Sequence, residues 1–438
     1  MTDMKKEYLE RMEKMLGEEY PKYLECMNET PRRALRVNTL RTAPEVFAEV
    51  YPYDLEPTGF AANGYYTNET SPSSSLLYRA GVYYMQEASA SAAVTMLDPQ
   101  PGMRVLDLCA APGSKTTQIL EALGNSGMLA ANEIVPKRAS VLLENVIRHG
   151  ADNCLVLNES PKRIAETFPE AFDAVLTDAP CSGEGMFRKD PEAASEWTEN
   201  VPAGCALRQA EILESAYLCL RPGGRLLYST CTFSMEENEE QILAFVKKHP
   251  DMKIADAKVT FGRPGFPIGD NTAYSRRIFP MDGGEGHFAA LLIKDGSGES
   301  SLQLLPSDRL PKEAVQFLKE TGAPGFPYYN VHGEAVYGST HPFVKTGRCR
   351  VIRSFTRMGE VQRGRFEPDH AFFVSAGQTM RSYDLNEEEA WKYIHGEQLP
   401  CVTEKGWVRV TYQGFPLGGA RSDGHALKNK YPKYLRTR

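Results

Sequence analysis

From Met103 the sequence alternates short apolar runs with amphipathic ones, and no other feature limits its possible folds as much. Arg104–Leu108 reads as a strand and Lys115–Leu123 as a helix. Met128–Ala131 is a second strand, and Lys137–His149 a helix ended by Gly150. Cys154–Leu157 and Asp173–Leu176 are further strands. Ile212, Leu213, Ala216 and Leu220 share one helical face, and Arg221-Pro222-Gly223-Gly224 breaks that helix. Arg225–Ser229 then reads as a strand, Glu236–Lys248 as a helix and Phe288–Ile293 as a last strand. This order predicts an α/β fold, with a mostly parallel sheet covered on both faces.

The flanking segments have a different texture. Residues 1 to about 30 read as helix, with Tyr8, Met12, Met15 and Leu16 forming one apolar stripe. Ala34–Leu40 reads as a strand, and Asn63-Gly64 and Thr70–Ser75 mark turns. Met85–Leu97 is a helix candidate stopped by Asp98-Pro99-Gln100-Pro101-Gly102. Asp295–Ser301 reads as a linker, and beyond it short strand-like runs such as Cys349–Ile352 and Trp407–Thr411 dominate. We therefore expect three units: a small α/β unit over 1–75, the alternating domain over 76–296 and a β-rich region over 302–438.

Composition removes several classes. No run of about 18 apolar residues exists, so no membrane partner is expected. The amino terminus lacks a signal peptide's apolar core. The nine cysteines show no CxxC pair and no tight Cys/His spacing, which argues against a metal site and a disulfide framework. A cytoplasmic chain with free thiols is the expectation. The formal charge is −7, yet basic residues cluster. Lys345, Arg348, Arg350, Arg353, Arg357, Arg363 and Arg365 form one group; Arg421, Lys428, Lys430, Lys433, Arg436 and Arg438 a second; Arg32, Arg33, Arg36 and Arg41 a third. Three such groups on an acidic chain favour a local polyanion surface.

Three stretches carry chemistry. VLDLCAAPGSKTTQ at 105–118 is a strand, a small-residue loop and a helix start, which lets a ligand lie against backbone near a helix amino terminus. It is neither a Walker A loop nor a GxGxxG fingerprint. About 25 residues later the next strand ends at Glu133, where an acid is placed to hold ribose hydroxyls. Loop and acid together point to an adenosine-containing cofactor. TDAPCSGEGMFRKDP at 177–191 and LLYSTCTF at 226–233 each release a cysteine, Cys181 and Cys231, at a strand's carboxyl end. Two cysteines over one cofactor loop suggest covalent chemistry, because a thiolate is a strong nucleophile.

These stretches resemble the Nop/Sun family of RNA (cytosine-C5) methyltransferases, and RALRVNTL at 33–40, GVYYMQEASA at 81–90 and GEGHFAA at 284–290 fit it too. GRFEPDHAF at 364–372 and PLGGARSDGHALKNKYPKYLR at 416–436 resemble its bacterial ribosomal RNA branch, of the RsmF type. The resemblance covers nearly the whole chain. It implies a Rossmann-like S-adenosylmethionine methyltransferase sheet, a small N-terminal α/β RNA-binding domain and a C-terminal PUA-like RNA-binding region. It implies methyl transfer from S-adenosyl-L-methionine to C5 of cytosine through a covalent cysteine adduct. The implied substrate is 16S ribosomal RNA or the small ribosomal subunit. Transfer RNA methylation and a non-catalytic role in ribosome assembly remain as alternatives. A monomer is expected.

The family also implies residue roles. The nucleophile is the cysteine of the later Thr-Cys pair, here Cys231, and the cysteine of the Pro-Cys pair, Cys181, assists breakdown of the adduct. Asp178 contacts the cytosine's N3/N4 edge and stabilises charge there. Lys115 points from the cofactor loop and assists. Cys109, Ala110, Ala111, Pro112, Gly113, Ser114, Lys115, Glu133, Arg138 and Asp178 make up the cofactor side. The family usually places an acid after the third strand, near the adenine; here Ser160 stands there, with Asn158 and Glu159 before it. Tyr83, Tyr84, Phe187 and Trp197 are candidates for stacking on an unpaired base, although packing also accounts for each.

Overall fold

A computed structural model describes residues 4–436. Its centre is a ten-stranded sheet. Across it the strands run Arg263–Pro264, Arg276–Ile278, His287–Lys294, Leu220–Thr230, Phe172–Asp178, Arg104–Asp107, Met128–Asn132, Cys154–Leu157 and Val351–Ser354. Met252–Ala255 adds to the far side of His287–Lys294. The strands from Leu220–Thr230 to Cys154–Leu157 are parallel, as the alternation predicts. They are apolar and buried along almost their whole length, because helices cover both faces. Cores on the two sides enclose Leu106, Val175 and Phe288 on one face and Val105, Leu129 and Leu227 on the other.

Several elements differ from the sequence reading. The N-terminal helix is two, Lys6–Leu16 and Tyr20–Asn28, because Gly17 turns the chain at a φ of 55°. The helix expected over Met85–Leu97 is confined to Ala92–Leu97. Before it lie a strand, Tyr83–Met85, and a tight turn whose amide groups donate to the Glu87 side chain. The helix Pro161–Thr167 was not foreseen, and that over 212–220 is much longer, Asn200–Cys219. Arg221-Pro222-Gly223-Gly224 does not separate helix from strand, since the strand Leu220–Thr230 already includes it. Phe172 pairs with Leu220 but Ala174 with Arg225, so these residues bulge out of the ladder. A side chain at Gly224 would meet the Leu220 side chain at 2.6 Å, which reserves that position for glycine.

Smaller units flank the sheet. Leu55–Pro57, Gly64–Thr67, Arg33–Val37 and Tyr83–Met85 form an antiparallel sheet. Beyond the central sheet's last long strand, Tyr328–His332, Ala335–Ser339, Thr356–Gln362 and Arg365–Pro368 form an antiparallel meander. A five-stranded sheet over residues 382–429 follows. Val351–Ser354 leaves this C-terminal region and pairs antiparallel with Cys154–Leu157, closing an edge of the central sheet. The first unit and the last share one core, in which Leu35, Val37 and Tyr83 pack with Tyr393, Val408 and Leu417. Among the described residues, no helix is long and apolar enough to cross a membrane.

A buried charge cluster fastens the first unit to the central sheet. Arg36 lies almost fully buried and pairs with Glu121 of the helix Ser114–Leu123. It also donates to the Ser114 carbonyl at 2.9 Å and to Thr117 at 2.7 Å. Glu121 meets His149 at 3.1 Å and accepts from Asn63 at 2.9 Å. Burial opposes the charged carboxylate, but Arg36 and His149 hold its pKa below the ordinary value. Removing one partner strands the other charge in the interior. Glu121→Ala should therefore cost about 3–5 kcal/mol of stability, read as a lowered denaturant midpoint at neutral pH. A midpoint within error of the native protein's would show that the cluster does not hold the two units together.

Candidate active site

The loop after Arg104–Asp107 is shaped by its neighbours. The Ala111–Pro112 peptide is cis, and Gly113 opens the helix Ser114–Leu123 at a φ of 113°. Arg138 donates to the Ala111 carbonyl and Asn145 to the Pro112 carbonyl, each at 2.8 Å. Asn132 donates to the Leu108 carbonyl at 3.2 Å and the Glu159 carbonyl at 3.0 Å, joining three neighbouring strand ends. Beside it Glu133 is buried, accepting from the Val135 amide at 2.8 Å and facing Arg138 at 3.4 Å.

A cavity of about 1010 Å³ opens over these strand ends. Cys109, Ala111, Glu133, Arg138 and Ser160 line one part of it; Asp178, Cys181 and Cys231 line another. Ala110, Pro112, Gly113 and Ser114 shape the loop without lining the cavity, and Lys115 reaches it through Asp178. Ser160 caps the helix Pro161–Thr167 by accepting from the Arg163 amide at 3.3 Å. Ile134, which the sequence did not single out, presents an exposed apolar side chain beside Glu133.

The charged centre is the Lys115–Asp178 pair. Lys115 donates to Asp178 at 2.7 Å, and the Ser229 hydroxyl donates to the other carboxylate oxygen at 2.7 Å. Burial disfavours the Asp178 carboxylate, but Lys115 first, then His287 and these hydrogen bonds, hold its pKa below the ordinary value. Burial also disfavours the Lys115 ammonium, which Asp178 and Cys231 hold above its usual range. Burial, and then Lys115, push His287 down to about 3, so it is neutral.

The two cysteines lie in contact, Sγ to Sγ 3.3 Å, although 50 residues separate them. The hydrogen bond to Cys231 and burial push the Cys181 thiol well above the ordinary cysteine value. Cys181 therefore keeps its proton at neutral pH beside the Cys231 sulfur. The site thus joins a fixed carboxylate, a fixed ammonium and two sulfurs in contact. Among the described residues, no group of His, Cys, Asp and Glu is placed to hold a metal ion.

Residues 94–293 match the family described as 16S rRNA methyltransferase RsmB/F. Residues 4–88 match the N-terminal domain of 16S rRNA methyltransferase RsmF, and residues 381–437 the methyltransferase RsmF PUA domain. A ribosomal RNA small subunit methyltransferase F from Enterobacter sp. is 33% identical over 92% of this chain and 89% of its own. The protein of that name from Escherichia coli O127:H6 is 31% identical over 92% and 90%. The chain belongs to the RsmB/F family of 16S rRNA methyltransferases. A solved structure of a methyltransferase homolog protein from Pyrococcus horikoshii is 28% identical, with a TM-score of 0.60 over 67% of this chain and 96% of its own. Membership makes the central sheet a methyltransferase fold and the last five-stranded sheet part of a PUA domain. The PUA match begins at 381, so the preceding meander and the edge strand Val351–Ser354 lie outside it.

The structure reduces the basic surface read from sequence. Arg36 and Arg353 are buried and Arg41 is half-buried, and all three are bound to protein acceptors, because they tie separate units together. Arg32 pairs with Glu56 at the surface, and Arg438 lies outside the described residues. Lys345, Arg348, Arg350, Arg357, Arg363, Arg365, Arg421, Lys428, Lys430 and Lys433 remain exposed. Tyr83, Phe187 and Trp197 are packed into cores and offer no face to a base, whereas Tyr84 is half-buried under Arg148.

The Lys115–Asp178 pair gives a direct test. Lys115→Met removes the charge that holds the Asp178 carboxylate. A carbon-13 titration should then find the Asp178 midpoint above the ordinary value of about 3.9, where the native protein titrates below it. Equal midpoints would show that Lys115 does not fix the charge.

Proposed function

We propose that the protein is an S-adenosylmethionine-dependent methyltransferase that forms 5-methylcytosine in 16S ribosomal RNA through a covalent cysteine–cytosine adduct. The observation that carries this reading is the contact of Cys181 with Cys231 in a cavity that Asp178, paired with Lys115, also lines. The ribosomal substrate follows the names carried by the relatives.

The residues of the cavity fit the cofactor. Glu133 offers a buried carboxylate to ribose hydroxyls, Ile134 an apolar face to adenine and Ser160 a hydroxyl near it. The loop from Cys109 to Ser114 lets backbone approach, with Arg138 holding its shape from behind. S-adenosylmethionine supplies an electrophilic methyl group there.

The chain's own groups do the rest. Cytosine C5 is a weak nucleophile until sulfur adds to C6, which breaks the C5=C6 double bond and leaves electron density on C5. Cys231 makes that bond. Asp178, kept ionised by Lys115, accepts from the N4 amino group and from N3 once N3 has taken a proton from solvent, so the electron density that sulfur delivers is held as a neutral enamine. Once C5 has taken the methyl group, solvent water takes its proton, the C5–H electron pair re-forms the C5=C6 double bond, and the C6–sulfur bond breaks with its electron pair returning to Cys231. Cys181, protonated and 3.3 Å from the departing sulfur, assists that release. The target base leaves its stack to reach these groups. The PUA domain and the exposed basic residues grip the flanking phosphates.

Two experiments test this reading. Cys231→Ala should abolish methylation and give no protein–RNA adduct on a denaturing gel, whereas Cys181→Ala should accumulate one. The reverse pattern would exchange the two roles. Deleting 302–438 would strip Val351–Ser354 from the catalytic sheet, so the basic surface is better probed by substitution. Arg421 and Lys428 face each other across the strands Phe415–Ser422 and Ala426–Asn429. Changing both to Ala should weaken RNA binding and flatten the slope of log K against log salt by about 0.7–0.9 per residue. An unchanged slope would place the RNA elsewhere.

A further inference from the structure

We infer that Glu237 is a positioning residue that clamps the two cysteine loops together and so fixes Cys181 against Cys231, an inference that rests on the cysteine roles proposed above. Glu237 lies in the turn after Cys231 and is fully buried. One carboxylate oxygen accepts from the Ser182 amide at 3.0 Å and from Gln209 at 2.8 Å. The other accepts from the Ser182 hydroxyl. That hydroxyl lies 2.7 Å from the Thr232 hydroxyl, and Gln209 also donates to the Pro180 carbonyl at 3.1 Å. The residues on both sides of Cys181 and the residue after Cys231 therefore converge on one carboxylate.

The turn that carries Glu237 is itself fixed. Tyr228 donates to the Glu237 carbonyl at 2.7 Å, and Asn238 donates to the Thr232 carbonyl at 2.9 Å. The Gly185 amide reaches the Cys231 carbonyl at 2.8 Å. Among the described residues, no Lys, Arg or His forms an ion pair with Glu237. Burial raises its pKa, against the hydrogen bonds from Ser182, Gln209 and Thr232. A buried carboxylate without a cation is a costly way to gain stability alone. What it supplies is a rigid acceptor that two loops share, and a negative charge that adds to the hydrogen bond and burial keeping Cys181 protonated. Sulfur-to-sulfur geometry set from outside the reacting atoms governs the release step, where a misplacement of about 1 Å costs about 100-fold in rate.

The test uses the full chain with Glu237→Gln, which keeps the shape but replaces an acceptor oxygen by a donor facing Ser182 and Gln209. Ser182→Ala and Thr232→Val cut the same clamp from its other ends and serve if Glu237→Gln does not fold. The expected result is a fall in kcat of about 100-fold with KM for RNA near the native value, and accumulation of adduct on a denaturing gel. Alkylation of Cys181 by iodoacetamide, followed by mass spectrometry across pH, should also shift to lower pH. Native kcat with a native alkylation profile would overturn the clamp, as would a loss confined to KM. If Cys181→Ala accumulates no adduct, the cysteine assignments fail, and the alkylation profile still decides whether Glu237 holds Cys181.

Discussion

Parallel pairing of neighbouring strands is the constraint on which the rest depends. Asp107, Asn132 and Asp178 end their strands on one edge of the sheet, and Ser229 stands opposite Asp178 in register. Each chemical residue follows within a few positions: the cofactor loop after Asp107, Glu133 after Asn132, Cys181 after Asp178 and Cys231 after Thr230. Adjacent parallel strands in register must release their loops side by side. That is why two cysteines 50 residues apart in sequence meet at 3.3 Å without any direct link between their loops in the chain. The antiparallel strands beyond this block extend the sheet, and because Phe288 stands opposite Thr230 the loop before His287–Lys294 also meets this edge, where Gly286 packs against Gly185.

Charge is placed against local preference at the centre. Lys115 stands in the first turn of Ser114–Leu123, where the helix dipole disfavours a cation. It is also almost fully buried. Asp178 outweighs both effects at 2.7 Å, and the same pairing keeps Asp178 ionised against its own burial. Neither group would hold its charge there alone, so the pair behaves as one unit at the junction of cofactor loop and cysteine strand. A comparable trade occurs in the Arg36–Glu121–His149 cluster, which joins the first unit to the helix behind that loop.

The parallel sheet and the site's main residues were legible because each depends on local signals: apolar strands, a small-residue loop, an acid or cysteine at a strand end. What was not legible depends on contacts across the chain. Glu237 reads as part of an acidic helix start, and only the fold shows its carboxylate turned inward onto Ser182 and Gln209. Arg36, Arg41 and Arg353 read as basic surface, yet each binds carbonyl or carboxylate groups from distant segments. Arg221-Pro222-Gly223-Gly224 has the composition of a turn, and pairing with Phe172–Asp178 absorbs it as a bulge. Trp197 and Phe187 have the composition of a stacking platform, but the first N-terminal helix covers them through Tyr8.

The edge strand Val351–Ser354 changes how the C-terminal region relates to the reaction. A linker such as Asp295–Ser301 would by itself leave that region a tethered module. Instead the Asn158 amide bonds to the Arg350 carbonyl at 3.0 Å, and the Arg350 amide bonds to Glu159 at 2.8 Å. The Arg350 guanidinium reaches the Asn158 side chain at 3.1 Å, and Asn158 in turn donates to the carbonyls of Glu133 and Ile134. One chain of hydrogen bonds therefore runs from an exposed basic segment to Glu133 and Ile134 in the cavity wall. The hydroxyl of Ser160 sits next to it, where the family usually carries an acid. The exposed basic segment and this wall of the cavity are thus joined by hydrogen bonds and not only through a linker.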